Sequence, residues 1–159
     1  MILNLHDRFC IDSAAAFLKS LPDGTRVGLT SGCWDLFHYF HLHSIQRCKN
    51  HCDILIVGVD SDALVRSTKG PERPIVTEQY RLAIIDALKI VDISFLMHSL
   101  EDFEFVVKNM RVNKIFKNEN FKVEEVVGND SAEVVIIPDT QIIQSTTGYI
   151  KYVQGLKKN

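Results

Sequence analysis

The sequence predicts a three-layer α/β fold on an open, mostly parallel sheet of about five strands. Strand-length apolar runs alternate with helix-like segments along the whole chain. The run Asp53-Ile54-Leu55-Ile56-Val57-Gly58-Val59 is apolar without the in-out alternation of a half-exposed strand. A parallel strand covered by helices on both faces reads this way.

The elements follow in order. Asp12-Ser13 precedes an Ala/Phe/Leu run and predicts a helix N-terminus, and Pro22-Asp23-Gly24 predicts the turn that ends it. Residues 27–30 read as the first strand and residues 42–49 as a helix. After the apolar strand, Ser61-Asp62 caps a short helix over residues 63–66. Residues 67–74 read as a loop rich in Gly, Pro and charge. Thr77 opens a long helix reaching about Lys89, residues 93–97 form a strand, and residues 102–109 a helix. Strands at 114–116 and 134–137 follow, Pro138 closing the second. Ser145-Thr146-Thr147 caps a last helix over residues 148–156. No repeat, low-complexity segment or linker interrupts this pattern, and 159 residues suit one domain with one substantial core.

Composition narrows the function classes. Hydrophobic residues make up 46% and charged residues 24%, ordinary for globular protein. With a net charge of −2 and a pI of about 6.3, no basic excess points to a nucleic-acid surface. Cys10, Cys33, Cys48 and Cys52 offer no second pair at zinc-site spacing, so no metal site is expected and buried reduced thiols are the simpler reading. Neither a signal peptide nor an apolar run of membrane-spanning length is seen, so a cytoplasmic protein without membrane contact is expected.

The chemistry gathers at Gly32-Cys33-Trp34-Asp35-Leu36-Phe37-His38-Tyr39-Phe40-His41, where a strand hands over to a helix. Open parallel sheets bind ligands at such junctions, and a helix start offers free N–H groups and a positive dipole to an anion. Two imidazoles three residues apart can donate to phosphate oxygens there, and their charge is adjustable near neutral pH. The alternative for His38 and His41 is a pair of capping or core histidines. His43 reads as surface or packing.

This segment resembles the Gly-x-Phe-Asp-x-x-His-x-Gly-His signature of the cytidylyltransferase-like nucleotidyltransferases. "STKGPERPIVTEQYRLAIIDAL" resembles that family's middle segment, with its Lys, Arg-Pro and Glu-x-x-Arg, and "QSTTGYIKYV" its C-terminal Ser-Thr-Thr segment. The resemblance spans residues 24–155. It is strongest to the adenylyltransferase domain of bacterial heptose-phosphate enzymes, with glycerol-3-phosphate cytidylyltransferase next. It implies a Rossmann-like fold and transfer of a nucleoside monophosphate from ATP or CTP to a small phosphorylated sugar or polyol. It also implies magnesium carried with the nucleotide, and a homodimer.

By the same resemblance His38, His41 and Lys69 are catalytic, and Arg73 and Arg81 hold the acceptor phosphate. Ser31, Gly32, Cys33, Trp34, Asp35, Phe40, Lys117, Ser145, Thr146 and Thr147 bind the nucleotide. Each has a plainer alternative. Asp35 can fix the loop through backbone N–H groups, Lys69 and Arg73 can be solvated loop charges, Arg81 can pair with Glu78 on a helix surface, and the Ser-Thr-Thr run can simply cap a helix. Phe40 stands where the family has glycine, and can block or reshape the nucleotide site or turn away from it. Lys117-Asn118-Glu119-Asn120-Phe121 lacks the glycines and the Asp of the family's Lys-Gly-Gly-Asp-Tyr segment. Asp139-Thr140 lacks the arginine of the glycerol enzymes, which argues against a straightforward glycerol-phosphate cytidylyltransferase. Two other functions fit the same residues: a non-catalytic descendant that binds a nucleotide or a protein partner, and a flavin- or coenzyme-type adenylyltransferase.

Overall fold

In the computed structural model, which describes residues 1–138 and 146–156, six strands form one sheet in the order β1-β4-β3-β2-β5-β6. They are β1 (Ile2–Leu3), β2 (Val27–Gly32), β3 (Ile54–Asp60), β4 (Ile93–Met97), β5 (Lys114–Asn118) and β6 (Glu133–Ile137). Every pairing is parallel, so the sheet is wholly rather than mostly parallel. The strand beyond the expected five is β1, whose two residues pair with Ser94 and Phe95. A strand that short carries no periodicity to read.

The helices are α1 (Arg8–Ser20), α2 (Tyr39–Lys49), α3 (Asp62–Lys69), α4 (Glu78–Asp86), α5 (Leu100–Asn109) and α6 (Thr146–Leu156). Most begin earlier than their apolar periodicity suggests. Asp7, not Asp12-Ser13, caps α1, its carboxylate accepting from Phe9 N at 2.9 Å and Cys10 N at 3.3 Å. Helix α2 starts at Tyr39, which puts His41 in its first turn, and α3 runs on to Lys69, so that Lys69 closes a helix rather than opening a loop. Helix α4 stops at Asp86, short of Lys89.

Two apolar layers sandwich the sheet. One packs α1 and α5, through Ala14, Leu18, Phe103, Val106 and Met110, on Leu29, Ile56, Ile93 and Phe95. The other packs α2 and α4, through Ile45, Cys48 and Ile85, on Leu55, Val57, Val59 and Phe116. Each fully buried Leu, Ile or Phe contributes roughly 1.5–3 kcal/mol relative to exposure, which is what fixes the strands between the helix layers. The cysteines are all free, and Cys33, Cys48 and Cys52 are buried.

Chain order reverses between β2 and β5: β2 pairs with β3 on one side and with β5 on the other. Connections leaving the C-terminal ends of these two strands diverge, and the crevice between them is where open α/β sheets bind ligands. No helix among the described residues is long and apolar enough to cross a membrane.

Candidate active site

A cavity of about 460 Å³ opens at that crevice. Its floor is the end of β2 (Thr30, Ser31, Gly32) and of β5 (Phe116, Lys117, Asn118), and its walls are the loop after β2, the start of α2 and the start of α6.

The loop after β2 is built around two side chains. Trp34 donates from Nε1 to Gly58 O at 2.8 Å and lies flat against Gly32, where a Cβ would come within 3.2 Å of the indole. Glycine is what lets the strand end pass under the ring. Trp34 and Leu36 both adopt positive φ, at 53° and 46°, a conformation non-glycine residues hold only when their surroundings enforce it. Asp35 supplies that enforcement. Its side chain is fully buried and accepts from Arg73 Nε (2.8 Å), Ile75 N (2.9 Å) and Val76 N (2.9 Å). Burial alone would raise its pKa; the N–H groups of Ile75 and Val76 and the Arg73 guanidinium outweigh it and hold the carboxyl below its ordinary range. The structural alternative for Asp35 therefore holds: it binds the 73–76 segment to the motif loop.

His38 is the N-cap of α2 but makes no capping bond with its side chain, which leaves the first-turn N–H groups open to an anion. The His38 and His41 rings stack with centroids 3.8 Å apart, and Nδ1 of each is buried with no hydrogen-bond partner among the described residues. Burial lowers the pKa of both. For His41, with His38 and the Lys69 charge added, it falls to about 4, so both rings are neutral at pH 7. Thr146 Oγ1 donates to Asp35 O at 2.9 Å and lies 3.4 Å from His38 Nε2. With its proton directed at Asp35, Thr146 can only accept from His38, which places the imidazole proton on Nε2. Tyr149 also faces His38, with ring centroids 5.2 Å apart.

Four cationic side chains line the cavity: Lys69, Arg73, Arg47 and Lys117. Asp35, the one acidic residue among the described lining residues, is fully engaged. Lys117 Nζ is 3.3 Å from Ser31 Oγ and sits over the rings of Phe103 (4.6 Å) and Phe121 (5.1 Å). Burial lowers its pKa and Asp60 opposes that. A chain of net charge −2 thus presents a positively charged cavity with two helix starts facing it.

The expected residues His38, His41, Lys69, Ser31, Gly32, Cys33, Trp34, Asp35, Phe40, Lys117, Thr146, Thr147 and Arg73 all line this cavity. Ser145 and the 139–143 segment lie outside the described residues. Phe40, half-buried, forms part of the wall beside His38, and the space left is within the range of small-molecule sites.

Arg81 requires correction as an acceptor-phosphate ligand. It is 1% exposed, and neither phosphate nor the surface pair with Glu78 is available to it. Its guanidinium donates from Nε to Val76 O (2.8 Å), from Nη1 to Cys33 O (2.5 Å) and Asp60 O (2.7 Å), and from Nη2 to Asp62 Oδ1 (2.7 Å). The reason is the sheet: α4 brings one buried cation to the carbonyls of Cys33, just past β2, and of Asp60, at the end of β3.

His43, expected at the surface or in packing, lines the cavity too, as do Ser44 and Arg47, which no motif in the sequence marks. Arg47 donates to Pro138 O at the end of β6. The signal was available: residues 40, 43, 44 and 47 share one helix face once α2 is started at Tyr39.

A family model described as cytidylyltransferase-like matches residues 29–155. Relatives include the bifunctional protein HldE of Caulobacter vibrioides, 37% identical over 131 residues, and that of Paramagnetospirillum magneticum, 33% identical over 136 residues. These alignments cover 80% and 83% of this chain but 27% and 28% of the relatives, so the chain spans a little over a quarter of their length. Among solved structures, a lipopolysaccharide core biosynthesis protein from Thermoplasma volcanium superposes with a TM-score of 0.63 at 26% identity, over 76% of this chain and all of that one. A pantoate-beta-alanine ligase from Francisella tularensis, at 12% identity and a TM-score of 0.55, shares the fold. Taken with the histidine turn and the charged crevice, these matches establish that the chain belongs to the cytidylyltransferase-like family.

Proposed function

We propose that this chain transfers a nucleoside monophosphate from ATP or CTP to a small sugar or polyol phosphate and releases pyrophosphate. The observation that carries the reading is the cavity itself: four cations and the starts of α2 and α6 surround a space with no uncommitted carboxylate among its described lining residues. That is a site for a polyanion. A phosphate oxygen of the acceptor forms a bond to the α-phosphorus of the nucleotide, and the bond from that phosphorus to the bridging oxygen breaks. The electron pair leaves on pyrophosphate.

The residues divide the work. His38, His41 and the first-turn N–H groups of α2 face the phosphoryl oxygens, where charge accumulates in the transition state. Lys69, at the end of α3, and Arg73, oriented by Asp35, neutralise the leaving pyrophosphate. Thr146 ties the start of α6 to both the motif loop and His38. Magnesium fits as a passenger of the triphosphate. Asp35 is fully engaged, so the metal's ligands would be phosphate oxygens and water, the usual arrangement for this ion, and its chemistry would be charge neutralisation. ATP is favoured over CTP by the resemblance of the motif segments to heptose-phosphate adenylyltransferase domains, and a homodimer is part of the same proposal.

The test is pyrophosphate release from ATP or CTP with magnesium over a panel of hexose, heptose and glycerol phosphates. Release with at least one pair, abolished in His41→Ala, is expected. Failure of every pair, with no binding of either nucleotide by calorimetry, would overturn the reading. Sedimentation as a monomer at micromolar concentration would remove the dimer.

A further inference from the structure

Ser31, Asp60 and Lys117 form a polar cluster at the C-terminal edge of the sheet; Ser31 and Lys117 line the cavity on the side away from the histidines, and Asp60 lies next to them. A Cβ on Gly58 would lie 3.1 Å from the Ser31 Cβ, so position 58 of β3 faces the same side as Ser31. Asp60, two residues on, faces that side as well. Lys117 joins them from β5 through its 3.3 Å contact with Ser31 Oγ, with Phe103 of α5 beneath it. The cluster therefore sits toward the α1–α5 layer, whereas the histidines sit on the α2 side.

Asp60 is unusual within it. Its Oδ1 is buried and has no hydrogen-bond partner among the described residues. Its backbone carbonyl accepts from Arg81. Buried polar atoms are nearly always paired, so a carboxylate oxygen without a partner next to Ser31 and Lys117 of the cavity wall is matched to a hydrogen-bond donor. Burial raises its pKa, opposed by Lys69, Lys117 and Arg81. Phosphate does not supply a donor, and a carboxylate repels it. A divalent cation is opposed by the ammonium of Lys117 beside it. A hydroxyl can donate to Asp60, and a neighbouring hydroxyl can accept from Lys117. Phe121, half exposed next to the ammonium, offers a flat apolar face to the C–H side of a sugar ring.

We infer that Asp60, with Lys117 and Ser31, holds the hydroxyl groups of a polyhydroxylated acceptor and selects for it, while the side of the cavity lined by His38, His41, Lys69 and Arg73 takes the phosphates. This rests on the transferase reading above and adds to it the residues that recognise the acceptor.

The test uses Asp60→Asn, Asp60→Ala and Lys117→Met. Among the described residues the Asp60 side chain makes no hydrogen bond to the fold, so its variants should melt as the parent does. Binding is read by fluorescence of Trp34, the single tryptophan and a wall of the cavity. The probes are mannose 1-phosphate, a heptose 1-phosphate and glycerol 3-phosphate, with phosphoethanolamine as the comparator lacking hydroxyls, each added over magnesium and α,β-methylene-ATP. Asp60→Ala should weaken the sugar phosphates about ten- to a hundredfold, the consequence of removing a hydrogen bond to a charged group, and leave the nucleotide Kd within about twofold. In turnover the loss should fall on the acceptor KM. Unchanged sugar-phosphate affinity in Asp60→Ala, an equal loss of nucleotide affinity, or a parent preference for phosphoethanolamine would each overturn the inference. A parent that binds nucleotide but no polyol phosphate would overturn it and leave the nucleotide site standing. A parent that binds sugar phosphate through Asp60 but no nucleotide would overturn the transferase reading alone.

Discussion

Removing Arg81 should unfold the site rather than starve it of substrate. Its guanidinium satisfies three backbone carbonyls, at Cys33, Val76 and Asp60, and pairs with Asp62, all within a 1% exposed position. Arg81→Ala leaves those acceptors unpaired and Asp62 with no counter-charge. Breaking one side of a buried pair typically costs about 3–5 kcal/mol, and the stranded carbonyls lie in the same network, so the sum does not grow in proportion. At roughly 2–4 °C per kcal/mol for a chain of this size, the melting temperature should fall by about 6–20 °C. Arg81→Lys should recover little, because a single ammonium cannot reach four acceptors in the fork geometry that Arg81 fills. Urea titration followed by Trp34 fluorescence measures the loss, and calorimetry at low temperature measures what remains of nucleotide binding. An acceptor-phosphate ligand would behave in the opposite way. Parental stability in Arg81→Ala, with only the acceptor KM raised, would refute the buried-network account.

Other outcomes follow from the same geometry. His41→Ala should lower turnover by about 10²–10³ while leaving the melt near parental, since the lost group donates mainly in the transition state; equal losses of activity and stability would assign it to packing. Nucleotide binding should take up protons, because a triphosphate raises the pKa of two imidazoles that are neutral in the free protein; affinity should then weaken as pH rises, and calorimetry in buffers of different ionisation enthalpy reads the uptake directly. Because the folded His41 pKa of about 4 lies below the unfolded value of 6.5, the free protein should lose stability as pH falls from about 6.5 toward 4, by at most about 3 kcal/mol, and His41→Gln should flatten that slope in pH-stepped urea melts. Phe40→Gly should tighten ATP or CTP binding if the ring merely crowds the cavity and weaken it if a base stacks on the ring; the first is expected, and unchanged titrations with both nucleotides would show that Phe40 takes no part.

The strands were legible because parallel strands packed on both faces leave uninterrupted apolar runs, as in residues 54–59. The histidine turn was legible because polar, phosphate-competent residues fall where such a run ends. Helix starts were less so. A cap is set by one side chain: Asp7 fixes α1 ahead of Phe9, which is 81% exposed and so breaks the apolar pattern that a periodicity reading follows. The same lag of three residues on α2 concealed His43 and Arg47. Arg81 and Asp60 were obscured for another reason. Arg81 bonds to backbone carbonyls, which have no identity in a sequence, and Asp60 reads as the polar residue that ends a strand.

Asp35 explains why the separate motifs act as one site. It sits three residues before His38 and accepts directly from Arg73. Its side chain gathers Arg73, Ile75 and Val76, its backbone carbonyl takes the Thr146 hydroxyl, and that hydroxyl in turn meets His38. The middle and C-terminal segments are thus both fastened to the histidine loop through one residue. Arg81 fastens the same loop to the end of β3 through Cys33 O and Asp60 O. Pre-organised charge is worth most where it does not have to reorganise during the reaction. A fold that places its phosphate-facing groups on three distant stretches of chain can meet that condition only through such buried cross-links. This is why two of the most strongly buried polar side chains, Asp35 and Arg81, stand behind the cavity's ligand-facing groups rather than among them.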